Sequence, residues 1–214
     1  MERGEVRLRA LEPEDVDRLY IWENDRDMWP FGGTCAPLSR HQLWEYATNY
    51  DANPFAAGQL RLIIELATVP ANAIPQNSQS SQSSQSSQSS QSSQNSQNSQ
   101  NSQNSQNSHS SPIPCGIIDL YDIDPVNSRA MVGIMVAPQW RSRGIATRAL
   151  ELVGEYCRDI LGLATIASEV ASDNLPSIKL FGEKAAYRQV GERPSWYRRG
   201  DSFIPALLFQ KQLR

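Results

Sequence analysis

Ala130-Met131-Val132-Gly133-Ile134-Met135-Val136-Ala137 is a nearly unbroken apolar run, stopped by Pro138 and followed by Gln139-Trp140-Arg141-Ser142-Arg143-Gly144-Ile145-Ala146. The first stretch has the length and composition of a buried strand. From Gly144 to Leu161 the period changes to 3.6, with Ala149, Leu152, Val153 and Tyr156 on one face of a long amphipathic helix. A strand, a turn with one glycine and two arginines, and a helix thus follow one another. Backbone N–H groups and the positive dipole end at such a helix start attract phosphate. Gly144 lets the backbone approach a ligand, and Arg141 and Arg143 offer charge-assisted donors. Taken alone, these residues suit an ordinary turn with solvated arginines equally well. The fingerprints GxGxxG and GxxxxGK[ST] are absent.

Working outward, Val6, Leu8 and Leu11 form a short strand, and Pro13-Glu14-Asp15 opens a helix with Val16, Leu19 and Tyr20 on one face. Ser39 caps a second helix carrying Leu43, Trp44 and Ala47, which Asn53-Pro54 ends. Gln59 to Ala67 and Gly116 to Tyr121 read as strands, with a turn at Asp124-Pro125-Val126-Asn127. Ala164 to Val170 is a further strand and Asn174 to Ala186 a helix. Val190 to Tyr197 and Phe203 to Gln210 form a terminal strand pair. The predicted order is β-α-α-β-β-β-α-β-α-β-β, an α/β chain whose mixed sheet carries helices on its faces.

Residues 76–111 contain only Ser, Gln, Asn and His109, in a three-residue repeat of Ser-Ser-Gln and then Asn-Ser-Gln. Lacking apolar side chains, the segment cannot offset an ordering entropy of roughly 1–2 kcal/mol per residue. It is expected to be a long disordered loop, 69–112, joining two strands within a single domain, 1–214. Self-association of a Gln/Asn-rich tract is the alternative. The 39% apolar fraction of the whole chain becomes about 47% without the tract, normal for one globular core. No run is long enough for a bilayer helix, and Met1-Glu2-Arg3 does not lead into a signal-peptide core, so a cytoplasmic protein is expected. Cys35, Cys115 and Cys157 are far apart, with no CxxC and two histidines; buried thiols are expected, not disulfides or a metal site.

Arg141-Ser142-Arg143-Gly144-Ile145-Ala146 matches the [Q/R]-x-x-G-x-[G/A] acyl-coenzyme A pyrophosphate motif, and the strand, the long helix and the Asn174-Leu175-Pro176-Ser177 helix start follow in the same order. In these features the chain resembles the GNAT N-acyltransferases. Arg7-Leu8-Arg9 with its following acidic helix, and Asp119 to Pro125, resemble the branch of ribosomal-protein N-terminal and spermidine/spermine acetyltransferases. The resemblance implies acetyl-coenzyme A as cosubstrate and no metal. It implies that the backbone of Met135, Val136 and Ala137 pairs with the pantetheine arm in a gap between parallel strands, the Val136 N–H holding the thioester oxygen. It further implies a pyrophosphate cradle from Arg141, Ser142, Arg143, Gly144, Ile145, Ala146 and Thr147, and cofactor contacts from Asn174 and Ser177. One position departs: where the family often has a proton-donating tyrosine in Leu-Tyr-Glu-Lys, this chain has Leu180-Phe181-Gly182-Glu183-Lys184, and Ala185-Ala186-Tyr187 replaces a Gly-Phe turn.

Residues 1–65 carry twelve acidic and seven basic side chains, residues 139–214 eight and twelve. A basic half suits an anionic cosubstrate, and the acidic half steers a cationic amine. Glu23, Asp25 and Asp27, with Asp119, Asp122 and Asp124, are the acidic groups in question. Glu23 and Asp119 are the base candidates, and Trp22, Trp29, Phe31 and Tyr121 are candidate walls. Solvated surface carboxylates and core aromatics are the bland readings. The expected reaction is direct acetyl transfer to the primary amine of a polyamine, diamine or peptide N-terminus, with no nucleic acid or membrane partner; a dimer stays open. The alternatives are a coenzyme A-binding module with weakened catalysis and an interaction protein acting through the tract.

Overall fold

The computed structural model describes residues 1–32, 36–51, 53–67 and 112–214. Within them one mixed sheet is formed by β1 (Glu2–Arg3), β2 (Val6–Ala10), β3 (Leu60–Leu66), β4 (Ile113–Asp124), β5 (Arg129–Val136), β6 (Thr165–Ala171), β7 (Arg188–Arg199) and β8 (Ser202–Gln212). Their spatial order is β1-β2-β3-β4-β5-β6-β8-β7. Every neighbouring pair is antiparallel except β5 and β6. The helices are α1 (Val16–Glu23), α2 (Trp29–Gly32), α3 (Arg40–Thr48), α4 (Pro54–Ala57), α5 (Ile145–Asp159) and α6 (Leu175–Lys179). The expected mixed sheet is present; β1, α2 and α4 are additions of two to four residues, too short to leave a periodic signal.

Three local expectations are corrected. Asn53-Pro54 does not end α3, which stops at Thr48; it opens α4, the Asn53 side chain accepting from the Phe55 and Ala56 N–H groups with Pro54 in the first turn. Trp44 is 52% exposed, because Leu43 and Ala47 alone form the buried stripe of α3. The helix expected over 174–186 is α6 followed by a π-helical turn, Leu180–Lys184.

β3 is buried on both faces, and its alternation divides the core. Leu62 and Ile64 belong with Val132, Ile166 and the apolar stripe of α5 (Ala149, Leu150, Val153, Cys157). Ile63 belongs with Ile117 and the helical residues Val16, Leu19, Leu43 and Ala47. Leu66 pairs with Ile113, so β3 and β4 are adjacent antiparallel strands on either side of the low-complexity tract. The tract itself, and the disorder expected of it, lie outside the described residues. Cys115 and Cys157 are buried, and burial pushes both thiols up to about 12; Cys35 lies outside the described residues. Among the described residues no helix is long and apolar enough to cross a membrane.

Candidate active site

β5 and β6 are paired from Arg129–Thr165 through Met131–Ala167 and no further, although β5 runs on to Val136 and β6 to Ala171. The two parallel strands therefore part at their C-terminal ends. Val136 lies opposite Gly116 of β4, and the Ala137 N–H donates to the Cys115 carbonyl at 2.9 Å. That pattern makes Val136–Gly116 a non-hydrogen-bonded pair, so the N–H and C=O of Val136 point away from β4 toward the parting strands. Close approach dictates Gly116: a Cβ there would fall 2.2 Å from the Met135 carbonyl oxygen.

Beyond Val136 a 3-10 turn, Pro138–Trp140, leads to Ser142 and Gly144, both with left-handed backbone (φ 63° and 77°). Gly144 stands at the N-cap of α5, where no side chain caps the first turn. Among the described residues no atom lies within 4 Å of where its Cβ would be, so glycine serves the backbone conformation. Arg141 to Gly144 are exposed, Ile145 is buried, and Ala146 and Thr147 are half-buried. The two arginines are already engaged. Arg141 donates from Nε to the Val136 carbonyl at 2.9 Å, and the Arg143 guanidinium lies 4.9 Å from the ring centroid of Trp140, itself 1% exposed.

The structure brings Glu23, Asp119, Met135, Asn174 and Ser177 to one cleft of about 700 Å³. Val136, Ala137 and Arg141 to Thr147 are not among its lining residues; they continue the chain from its Met135 end. Asn174 is the N-cap of α6 and accepts from the Ser177 N–H at 3.2 Å. Trp22, Trp29, Phe31 and Tyr121 line the cleft as expected. Asp122 lines it too, on a bulge of β4 with left-handed backbone (φ 49°). Asp25, Asp27 and Asp124 are not among its lining residues. Asp124 accepts from the Asn127 backbone N–H and holds the turn, an interaction that lowers its pKa. Asp25 accepts from the Asp27 N–H.

Sequence reasoning missed the residue at the centre of the acidic end. Arg61 of β3 faces Asp119 across the strand pair and grips it with a two-pronged ion pair, Nε to Oδ1 at 2.7 Å and Nη2 to Oδ2 at 2.8 Å. Its Nη1 donates to Glu23 Oε1 at 2.6 Å. Its guanidinium lies over Tyr46, and its backbone N–H donates to the Tyr50 hydroxyl. Burial alone would make this guanidinium easier to discharge, but Asp119 and Glu23 more than offset that and hold it charged. Across the cleft Glu169 is also paired, with Arg193 at 2.5 Å and the Tyr197 hydroxyl at 3.0 Å. Burial, then the Glu169 charge, pushes Tyr197 up to about 12. A lone arginine inside Leu60-Arg61-Leu62-Ile63-Ile64 was the available signal; its partner stands 58 residues away.

Phe181, on the π-helical turn, is 2% exposed, edge-on to Tyr187 at 5.0 Å and stacked on Phe209 at 6.1 Å. The Tyr187 hydroxyl is buried without a hydrogen-bond partner among the described residues, and burial raises its pKa. Ala186 has left-handed backbone (φ 58°), where glycine is usual. Among the described residues no group of three or more His, Cys, Asp or Glu is placed to hold a metal ion.

The sequence model of the acetyltransferase (GNAT) domain matches residues 5–183 of this mixed sheet and its helices. The chain belongs to that family. It is 30% identical over 77 residues to the spermidine N(1)-acetyltransferase of Escherichia coli K12, a match that spans 36% of this chain and 41% of the relative's length. In fold it is similar to spermidine N-acetyltransferase from Vibrio cholerae in complex with CoA and spermine, with TM-score 0.71 and 17% identity over 99% of this chain and 97% of the other. A dodecameric structure of the Vibrio cholerae enzyme in an intermediate state gives TM-score 0.65 at 18% identity, covering 99% and 95%.

Proposed function

We propose that the protein transfers an acetyl group from acetyl-coenzyme A to a primary amine of a polyamine. The observation that carries this reading is the parting of β5 and β6 after Met131–Ala167, with the Val136 N–H turned toward the gap and the same strand leading into the uncapped start of α5. The uncapped helix start at Gly144 fits a phosphate-bearing ligand. In this reading the backbone of Met135 to Ala137 holds the pantetheine arm and the Val136 N–H holds the thioester oxygen, an oxyanion-type role. Backbone N–H groups of Arg141 to Thr147 hold the pyrophosphate, while Asn174 and Ser177 steady the pantetheine end. Bound acetyl-coenzyme A supplies an activated acyl carbon. At the other end Glu23 takes the ammonium proton, directly or through water, because its Oε2 has no hydrogen-bond partner among the described residues. Asp119 shapes the site with both oxygens on Arg61. The polyamine acceptor is supported by the carboxylates lining the cleft and by the spermidine acetyltransferase relatives.

One observation favours a second reading, a coenzyme A-binding module with weakened catalysis. Phe181 is packed between Tyr187 and Phe209 and offers no proton to a departing thiolate. Release of free thiol from acetyl-coenzyme A separates the two when measured over spermidine, a diamine and a short peptide. Turnover with the polyamine supports the transferase. Turnover with the peptide alone would move the acceptor to a peptide N-terminus. Silence with all three, alongside tight coenzyme A binding by calorimetry, would leave the binding module. In the same calorimeter Gly144→Asp, which sets a carboxylate beside the α5 start, is expected to weaken coenzyme A binding by about tenfold or more. Unchanged affinity would put the anion site elsewhere.

A further inference from the structure

Leu11, Val16, Leu19, Leu43, Ala47, Ile63 and Ile117, with Trp22, Leu38, Tyr46 and Met135 packed against them, form the smaller apolar cluster between the α1–α3 segment and the sheet, and this segment supplies Trp22, Glu23, Met28, Trp29 and Phe31 to the cleft. Arg61 sits where that wall meets the sheet. Its side chain, one-fifth exposed, reaches the last residue of α1 through Glu23 and the neighbouring strand through Asp119. Glu23 in turn accepts the Trp29 indole N–H on its backbone oxygen at 2.8 Å, which ties α2 to the same point. Tyr46 beneath the guanidinium and Tyr50 on the Arg61 backbone N–H bring in α3 and the segment that follows it. One cation therefore joins α1, α2, α3, β3 and β4, using three of its five N–H donors on two carboxylates.

We infer that Arg61 is the positioning residue of the acceptor half of the cleft, setting the Trp22-to-Phe31 wall against the sheet through Glu23 and holding Asp119 out of proton transfer. The inference rests on the acetyltransferase reading. Both Asp119 oxygens are engaged by a permanently charged guanidinium, each left with one lone pair, whereas Glu23 keeps one oxygen without a partner among the described residues and has its place set by the other. Lysine at this position keeps the charge but cannot span both carboxylates in the same plane, so it isolates geometry from charge.

The test is Arg61→Lys beside Asp119→Asn and the parent protein. Misplacement of a reacting group by about 1 Å costs up to 10²-fold. Arg61→Lys is therefore expected to lower kcat/KM for spermidine by about tenfold to a hundredfold, while KM for acetyl-coenzyme A moves by less than about twofold. Asp119→Asn is expected to keep the acid limb of the kcat/KM pH profile at its parent position. An equal change in both KM values would make Arg61 a general structural residue and overturn the inference, as would disappearance of the acid limb in Asp119→Asn. Hydrogen exchange gives a readout independent of turnover. In Arg61→Lys the amides of α1 and of Trp29 to Gly32 should exchange about tenfold faster, with α5 unchanged. Unchanged protection in α1 would overturn the positioning role even if no amine proves to be a substrate, whereas failure of every amine with that protection lost would count only against the acetyltransferase reading.

Discussion

On one face of the sheet α5 buries Ile145, Ala149, Leu150, Leu152, Val153 and Cys157 against strand residues from β2 to β8. On the other, α1 and α3 bury Val16, Leu19, Leu43 and Ala47 against Ile63 and Ile117, with Trp22, Leu38, Tyr46 and Met135 packed against them, and ion pairs add to this smaller cluster: Arg61 with Glu23 and Asp119, and Arg9 with Asp15 and Glu65. Glu65 and Asp15 are both buried, at 4% and 2% exposure. The α5 side of the sheet is thus held by apolar area, which is non-directional and tolerates variation in detail. The α1–α3 side adds paired charges to a smaller apolar cluster, and their geometry is specific, since removing one partner leaves a charge partly desolvated.

The sharpest way to break this comparison is to make the same deletion on both faces. Leu150→Ala is expected to cost about 4 kcal/mol, because Leu150 is 1% exposed inside the large cluster, where neighbours cannot collapse into the hole. Leu43→Ala, at 3% exposure in the small cluster, is expected to cost about 2 kcal/mol. Chemical denaturation measures both, and equal losses would remove the distinction.

Next in size is an alkaline limb assigned to the α5 side. Cys115 and Cys157 have folded-state pKa values raised from 9.0 to about 12 by burial. For such groups the unfolded chain loses its protons first, so stability is fully present below pH 9 and is lost as pH rises toward 12. The loss is on the order of 2 kcal/mol by pH 10 for the two thiols together. A Cys115→Ala/Cys157→Ala protein should flatten the denaturation midpoint against pH between 9 and 10; an unchanged slope would assign the limb to other groups.

The smallest effect belongs to the low-complexity tract. Leu66 and Ile113 are already register partners, and residues 76–111 contain no apolar side chain, so deleting them shortens a connection without touching either cluster. Loop closure changes by about 0.6 kcal/mol per halving of length, so a stability gain of about 1 kcal/mol is expected, a rise of a few degrees in Tm. Loss of cooperative unfolding on deletion would show that the tract packs against one of the two faces.

The β5–α5 half was legible because its signals are local. A continuous apolar strand, a proline stop, a glycine with positive φ and a 3.6-period helix follow one another within about thirty residues. The acidic end of the cleft was legible only in part. Glu23 and Asp119 stood out as base candidates, and the cleft separates them from Asp25, Asp27 and Asp124, which do not line it. Arg61 was passed over because nothing within a turn or strand of it pairs with it. Its partners stand 38 residues before and 58 residues after it, the second beyond the low-complexity tract.

By itself the sequence determined the order of the major elements, the glycine-led helix start and the departure at Phe181, since propensity, periodicity and φ preference act between near neighbours in the chain, whereas the expected single core divides into two apolar clusters. Only the tertiary structure decided that β5 and β6 part after Met131–Ala167, that Arg141 turns back onto Val136, and that one arginine gathers two carboxylates into the acceptor wall. These depend on register between strands and on the burial that makes a charge seek its partner, quantities that exist only once distant segments have been packed together.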